Sequence, residues 1–158
     1  DRLIDLGRLL KLDYSATHLI IAGAGELLEE LTAQSESESL PITFLGWRND
    51  IDMILSASDI AVLCSDNEGI PLTLIQASQA GLPIVSTNVG SVSDIVLDGV
   101  TGLLTEVSAN GVIQGVSKLL DDPDLRTRLG KSGQMRAKEF FSSQAMVEHH
   151  EKLYSQSL

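Results

Sequence analysis

Apolar residues recur at helical spacing from the start of the chain, at Leu3, Ile4, Leu6, Leu9 and Leu10, with no start signal ahead of them. The pattern predicts a chain that opens inside a helix. His18-Leu19-Ile20-Ile21-Ala22 is then a short continuous apolar run ended by Gly23-Ala24-Gly25, and residues 26–31 take up a helical pattern, so strand, turn and helix follow one another. The polar residues 34–39 read as a surface loop. Beyond them residues 42–45 read as a strand, 51–57 as a helix, 59–64 as a strand, and 72–80 as a helix closed by Gly81. Residues 83–86 predict a strand, 92–97 a short helix and 102–104 a last short strand. From Val107 onward the signal is helical, broken at Asp121-Asp122-Pro123 with Pro123 in a first-turn position, and a final amphipathic helix follows Ser142-Ser143.

Strands that are continuous apolar runs, each followed by a helix, indicate a parallel sheet covered on both faces, a doubly wound α/β (Rossmann-like) domain with helices at its C-terminal end. The 158 residues make one such domain with one well-filled core, and no repeat, linker or low-complexity stretch divides them. Twenty-two acidic residues against eleven basic ones leave a net charge of -11, a field that opposes phosphate backbones and argues against nucleic acid as a partner. The single cysteine, Cys64, excludes an intrachain disulfide and reads as a small core residue. No apolar run reaches the ~18 residues of a membrane span and residues 1–4 have no signal-peptide layout, so the expectation is a cytoplasmic protein.

In a doubly wound sheet ligands bind at the carboxyl ends of the strands, which makes each strand-to-helix turn a candidate site. Gly23 opens the first. Gly23-Ala24-Gly25-Glu26-Leu27-Leu28 offers the first two glycines of a dinucleotide fingerprint but has Leu28 at the third, and no acidic residue stands ~20 positions on, so a tight turn is the better reading than a nicotinamide or flavin site. The second turn, Ser65-Asp66-Asn67-Glu68-Gly69-Ile70-Pro71-Leu72-Thr73, is more informative. Gly69 lets a ligand approach the backbone, Pro71 suits a first helical position, and free amides near Ile70, Leu72 and Thr73 make a seat for an anion such as a diphosphate. Glu68 precedes that seat and Gln76 lies beyond it, about 7.5 Å along a helix from Pro71, placed to hydrogen-bond the two hydroxyl-bearing ends of a nucleotide sugar. A plain helix start, with Glu68 complementing the dipole, is the alternative.

The ordered series Glu68-Gly69-x-Pro71, Gln76-Ala77, Gly81-x-Pro83-Ile84-Val85, Asn88-Val89-Gly90-Ser91, Asp94-Ile95-Val96, Asp98-Gly99, Thr101-Gly102-Leu103-Leu104 and Asp121-Asp122-Pro123 resembles the C-terminal, donor-binding domain of family 4 (group 1) glycosyltransferases, enzymes of two Rossmann-like domains in the GT-B arrangement. The resemblance runs from near Leu3 to the last helix. It implies that Glu68, the first acid of the family's paired-glutamate signature, contacts the donor sugar, and that Gly69, Ile70 and Pro71 line sugar and diphosphate while Leu72 and Thr73 offer amides. Gln76 stands where the family has its second glutamate, at the ribose diol; an amide there costs about 1 kcal/mol. Gly46-Trp47-Arg48-Asn49-Asp50 matches the loop near the nucleobase, where Arg48 and Asp50 meet the base edge or, for Arg48 equally, where it is a surface cation.

The family's diphosphate-neutralising Arg and Lys precede its first helix. Here no Lys or Arg lies between Arg48 and Lys118, and the eight acidic residues of that interval leave the anion seat to backbone dipoles alone. The chain is therefore expected to be the donor part of a longer enzyme, truncated at its N-terminal end and separated from an N-terminal acceptor domain. In family terms it serves a retaining transfer from a nucleoside-diphosphate sugar to a saccharide or lipid-linked hydroxyl, with no metal. A non-catalytic nucleotide-binding or scaffold module is the alternative; an epimerase or phosphorylase on the same fold has no support in the motifs. His18, His149 and His150 have no metal-ligand spacing, and Asp121 and Asp122 read as helix caps. The basic stretch Arg126, Arg128, Lys131, Arg136 and Lys138 reads as a solvated face, with peripheral attachment to the inner face of a membrane as the other option.

Overall fold

A computed structural model describes residues 2–156. The elements run α1 (Arg2–Asp13), β1 (Leu19–Ala22), α2 (Leu28–Ser37), β2 (Ile42–Gly46), α3 (Ile51–Ser56), β3 (Ala61–Leu63), α4 (Leu72–Gln79), β4 (Ile84–Thr87), α5 (Val92–Ile95), β5 (Gly102–Thr105), α6 (Ala109–Asp121), α7 (Pro123–Phe140) and α8 (Ser143–Gln156). Every strand pair is parallel, as the strand-helix alternation requires. The strands form two ladders rather than one continuous sheet, β1-β2 and β3-β4-β5.

The β3-β4-β5 sheet carries the core, and β4 is buried along its whole length. Ile84 and Val85 point to opposite faces and divide the core in two, where the composition suggested one. On one face Val85 and Leu103 meet Leu6 and Leu10 of α1, Val112, Val116 and Leu119 of α6, and Leu129 of α7. On the other Ile84 meets Leu74 and Ala77 of α4, Leu82, and Val92, Ile95 and Val96 around α5.

Local chemistry fixes most boundaries. Ser108 caps α6 by accepting the Gly111 amide at 3.0 Å, and Asp122 caps α7 by accepting the Leu125 amide at 2.8 Å with Pro123 in the first turn. Asp121 instead accepts the Tyr14 hydroxyl at 3.0 Å, tying the end of α1 to the end of α6. The end of α4 is a Schellman turn: Gly81 takes φ +80°, its amide donates to Ser78, and the Leu82 amide donates to Ala77.

Four expectations are corrected. Residues 34–37 continue α2 instead of forming a loop, because Gln and Glu are adequate helix formers and the helix buries only Ser35, leaving no apolar period to read. The helix that follows β1 begins at Leu28, after a turn over residues 26–27. β3 is confined to Ala61–Leu63, shorter than its apolar run. Pro71 is extended (φ -73°, ψ 94°) and occupies the capping position just before α4. Of the basic stretch, Arg126 donates to the Leu119 and Leu120 carbonyls, Arg128 to Gly99, and Arg136 to Asp94 and Ile95 while lying over Phe140, so these three arginines close off main-chain carbonyls of neighbouring elements.

Gly130 sets how closely α7 approaches the α4–β4 turn. A Cβ there would stand 2.2 Å from the Gly81 carbonyl oxygen and 3.3 Å from Pro83 Cδ. Backbone cannot yield as a side-chain tip can, so Gly130→Ala is expected to destabilise the domain by about 1–3 kcal/mol despite alanine's better helix propensity. A thermal melt should show Tm lowered by about 5 °C; an unchanged Tm would mean that α7 can slide without loss.

Candidate functional site

All the candidate residues lie at the carboxyl ends of strands, in two groups. The first is the loop from Ser65 to Pro71 and the start of α4. Its main chain is held from several sides. Arg2, in the first turn of α1, donates to the Cys64 carbonyl at 2.8 Å and to Asp66 at 2.6 Å. Thr87, at the end of β4, donates to the Ser65 carbonyl at 2.7 Å, and the Ser91 amide donates to Gly69 at 3.3 Å. Gly90 lies directly against Glu68: its φ is +52°, and a Cβ there would fall 1.8 Å from the Glu68 carbonyl oxygen.

On this frame Glu68 is half-buried, and its carboxylate has no partner among the described residues. Gly69 has open space on its Cβ side, with nothing within 4 Å. Ile70 and Leu72 are 68% and 67% exposed, unusual for aliphatic side chains beside a helix start. No side chain caps α4, and the Leu72 and Thr73 amides find no main-chain acceptor among the described residues, while the Leu74 amide already donates to Pro71. Gln76 is exposed about one turn further along. The arrangement is a row of unsatisfied donors at the positive end of a helix, with a free carboxylate on one flank and an amide on the other.

The second group sits on the β1-β2 ladder. The Gly23 amide donates to Gly46 at 2.8 Å, which brings the Gly23 turn against the Gly46–Asp50 loop. Gly23 takes φ +145° with open space around it, a conformation suited to glycine alone. Arg48 and Asp50 are brought together with each other: Nε donates to Oδ1 at 2.7 Å in a two-pronged pair that holds the Asp50 carboxyl below its ordinary range and raises the guanidinium. Trp47 beside them is 82% exposed.

The expectation of an anion seat without any nearby cation is corrected by Arg2, which the fold carries from the start of the chain to the Glu68 loop. Its charge is spent on Asp66, which it holds below the usual carboxylate range. The pair is therefore intact at neutral pH and is lost only as pH falls below that range. Sequence reasoning missed Arg2 because sixty-four positions separate it from Asp66. Gly90 and Ser91 were visible only as members of the motif series, and Thr87 carried no signal in the sequence. Cys64 is partly buried and burial pushes its thiol up, in keeping with a core role. Among the described residues no group of three His, Cys, Asp or Glu side chains could hold a metal, and no helix is long and apolar enough to cross a membrane. The side chains of His149 and His150 lie outside the described residues.

Comparison with known proteins bears on the fold and the family. N-acetyl-alpha-D-glucosaminyl L-malate synthase of Bacillus anthracis is 32% identical over 114 residues, covering 72% of this chain and 30% of its own length, so the chain spans about a third of that relative. Among solved structures, Anabaena HepE in complex with UDP and glucose superposes with a TM-score of 0.86 at 21% identity, over 98% of this chain and 44% of that one. The C-terminal domain of the group 1 glycosyl transferase LpcC from Francisella tularensis superposes with a TM-score of 0.81 at 22% identity, over 90% of this chain and 78% of that one. The fold is that of the GT-B glycosyltransferases. With the family of group 1 glycosyl transferases matching residues 1–136, the chain belongs to that family.

Proposed function

We propose that this chain is the donor-binding domain of a glycosyltransferase that moves a hexosyl group from a nucleoside diphosphate to a hydroxyl of a saccharide or lipid-linked acceptor, with retention at the anomeric carbon. The observation that carries the reading is the unpartnered Glu68 carboxylate beside the free amides of Leu72 and Thr73. The diphosphate lies over Gly69 against those amides, where backbone dipoles stabilise the charge that the leaving group gains in the transition state. Glu68 accepts hydrogen bonds from the sugar hydroxyls and orients the anomeric carbon. Gln76 serves the ribose diol, and the Gly23 turn with the Gly46–Asp50 loop serves the base. Metal takes no part: the donor phosphate itself accepts the acceptor's proton.

One likeness supports both the donor and the division of labour. HepE was solved with UDP and glucose, and this chain spans 44% of it, in keeping with an acceptor domain carried elsewhere in a longer polypeptide. Isolated from such a domain, the chain is expected to bind UDP with Kd about 0.1 mM or weaker, since Arg2 is engaged by Asp66. Calorimetric or NMR titration measures this. Gln76→Glu is expected to tighten UDP by up to about fivefold, because a carboxylate accepts from both ribose hydroxyls. A large loss on that substitution would assign the amide to something other than ribose. Complete absence of UDP binding would overturn the reading in favour of a non-catalytic module, the alternative that the neutralised Arg2 favours.

A further inference from the structure

β3 and β4 keep parallel register as far as Leu63 beside Ser86. Beyond that point β4 bends: the Val89 amide donates back to the Thr87 carbonyl at 3.1 Å, and the Asn88 amide donates to Thr105 of β5 at 2.9 Å. Continued by two residues, the ladder would give the Ser65 carbonyl the amide of Val89, and the bend has taken that donor away. In its place the Thr87 hydroxyl donates to the Ser65 carbonyl at 2.7 Å, and among the described residues no other group does. A side chain thus stands in for a ladder bond where the main chain leaves β3 for the Glu68 loop.

The two segments stay side by side beyond it. Thr87 touches Ser65, Gly90 lies against Glu68, and the Ser91 amide donates to Gly69, three contacts each between residues twenty-two positions apart. The 87–91 turn is a template along which the loop is laid, and only its first contact depends on a side chain. That side chain is well fixed. Thr87 is fully buried, its branched Cβ admits few rotamers, and its own carbonyl also accepts from the Ser86 hydroxyl at 3.1 Å. Arg2 holds the same stretch from the side of α1, but its grip on Asp66 runs through two flexible side chains, and the Asp66 carboxylate is 78% exposed.

We propose, on the donor-binding reading of this site, that Thr87 is a positioning residue: its hydroxyl, through Ser65, sets where Glu68 and Gly69 stand relative to the free amides at the start of α4. Glu68 lies three residues from the anchored carbonyl, on a loop with no regular structure of its own. A shift of about 1 Å in a group that orients a reacting carbon is enough to cost turnover. The Leu72 and Thr73 amides respond differently. They belong to α4, whose place is set by the packing of Leu74 and Ala77 against Ile84, and not by Ser65. Loss of the hydroxyl therefore falls on turnover and spares the affinity for the nucleotide.

Three substitutions separate the hydroxyl from the shape around it. Thr87→Val keeps the branched side chain and removes the donor, and Thr87→Ser keeps the donor and removes a buried methyl. Thr87→Ala removes both, and takes the place of the valine variant should that one not fold. In the proposed transferase kcat is expected to fall about tenfold or more for valine and alanine and to stay within about threefold for serine, with UDP affinity within about threefold throughout. Serine, lacking the methyl, is expected to melt below the wild type. Turnover that follows Tm across the series, or a valine variant as fast as the wild type, would overturn the assignment. Hydrogen exchange on the chain alone reads the loop without any substrate: the Ser91 amide, bonded to Gly69, should exchange about tenfold faster in the valine variant than in the serine one. If the chain binds no UDP but shows that difference, the donor reading falls and Thr87 still sets the loop. If UDP binds and the difference is absent, Thr87 does not position the loop.

Discussion

If the proposed function holds, Glu68→Ala is expected to lower sugar transfer by the proposed transferase about 100-fold or more, while UDP binding by the chain itself stays within about threefold. The asymmetry follows from where the carboxylate stands. In the proposed function the free amides of Leu72 and Thr73 would hold the anion whether or not Glu68 is present, because they belong to the main chain of α4 and need no side chain to align them. Glu68 has no protein partner and flanks that seat on the side away from Gln76, so its hydrogen bonds are available to the sugar alone. Charge-assisted bonds that fix a reacting carbon are worth several kcal/mol of orientation, and losing them appears in turnover rather than in nucleotide affinity. Steady-state kinetics on the nucleotide sugar, set beside a UDP titration, separates the two. Near-wild-type turnover would show that Glu68 does not touch the sugar; a parallel loss of UDP affinity would show that the side chain supports the loop rather than the donor. Glu68→Gln should recover part of the rate, since an amide keeps one acceptor in the same place.

The alternation of strands and helices was legible because each strand of the α/β domain is a short apolar run closed by turn residues, and the parallel arrangement followed from it. Gly81 as a helix stop, Asp122-Pro123 as a helix start and the loop ahead of Leu72 were legible for the same reason, as local chemistry with a fixed backbone consequence. The end of α2 was not, because its last residues, 34–37, carry no apolar side chain to mark a period. The separation of the strands into two ladders was not either, since neighbours in a parallel sheet are set by crossovers and not by any one run of residues. In the site, residues within one turn could be read together, from Glu68 to Gln76. Contacts made by distant segments could not: Arg2 on Asp66 and Thr87 on Ser65 are products of the fold. Arg48 and Asp50, two residues apart, pair with each other through contacts their spacing allows.

Gly90→Ala is expected to cost sugar transfer about 100-fold with only a modest loss of stability. Two effects are present at this position and they can be separated. The left-handed backbone, φ +52°, penalises any L side chain by about 1–2 kcal/mol, which in a domain of this size lowers Tm by roughly 2–8 °C. The second effect is steric and local. The new Cβ would stand 1.8 Å from the Glu68 carbonyl oxygen and 2.8 Å from its carbonyl carbon, so the two loops must part by about 1.5 Å to reach ordinary contact. That movement breaks the Ser91-to-Gly69 hydrogen bond and shifts the main chain carrying Glu68, while Thr87 and Arg2 keep hold of Ser65, Cys64 and Asp66 at the other end of the loop. The loop pivots instead of unfolding, and displacing a positioned group by about 1 Å is enough for a 100-fold loss. Gly99→Ala is the matched control: φ is +70° there, and nothing lies within 4 Å of the added carbon. It should lower Tm by the backbone penalty alone, less than Gly90→Ala does, and leave transfer intact. Equal transfer rates for the two variants would mean that Gly90 contributes backbone conformation alone, and that the Glu68 loop keeps its place without it.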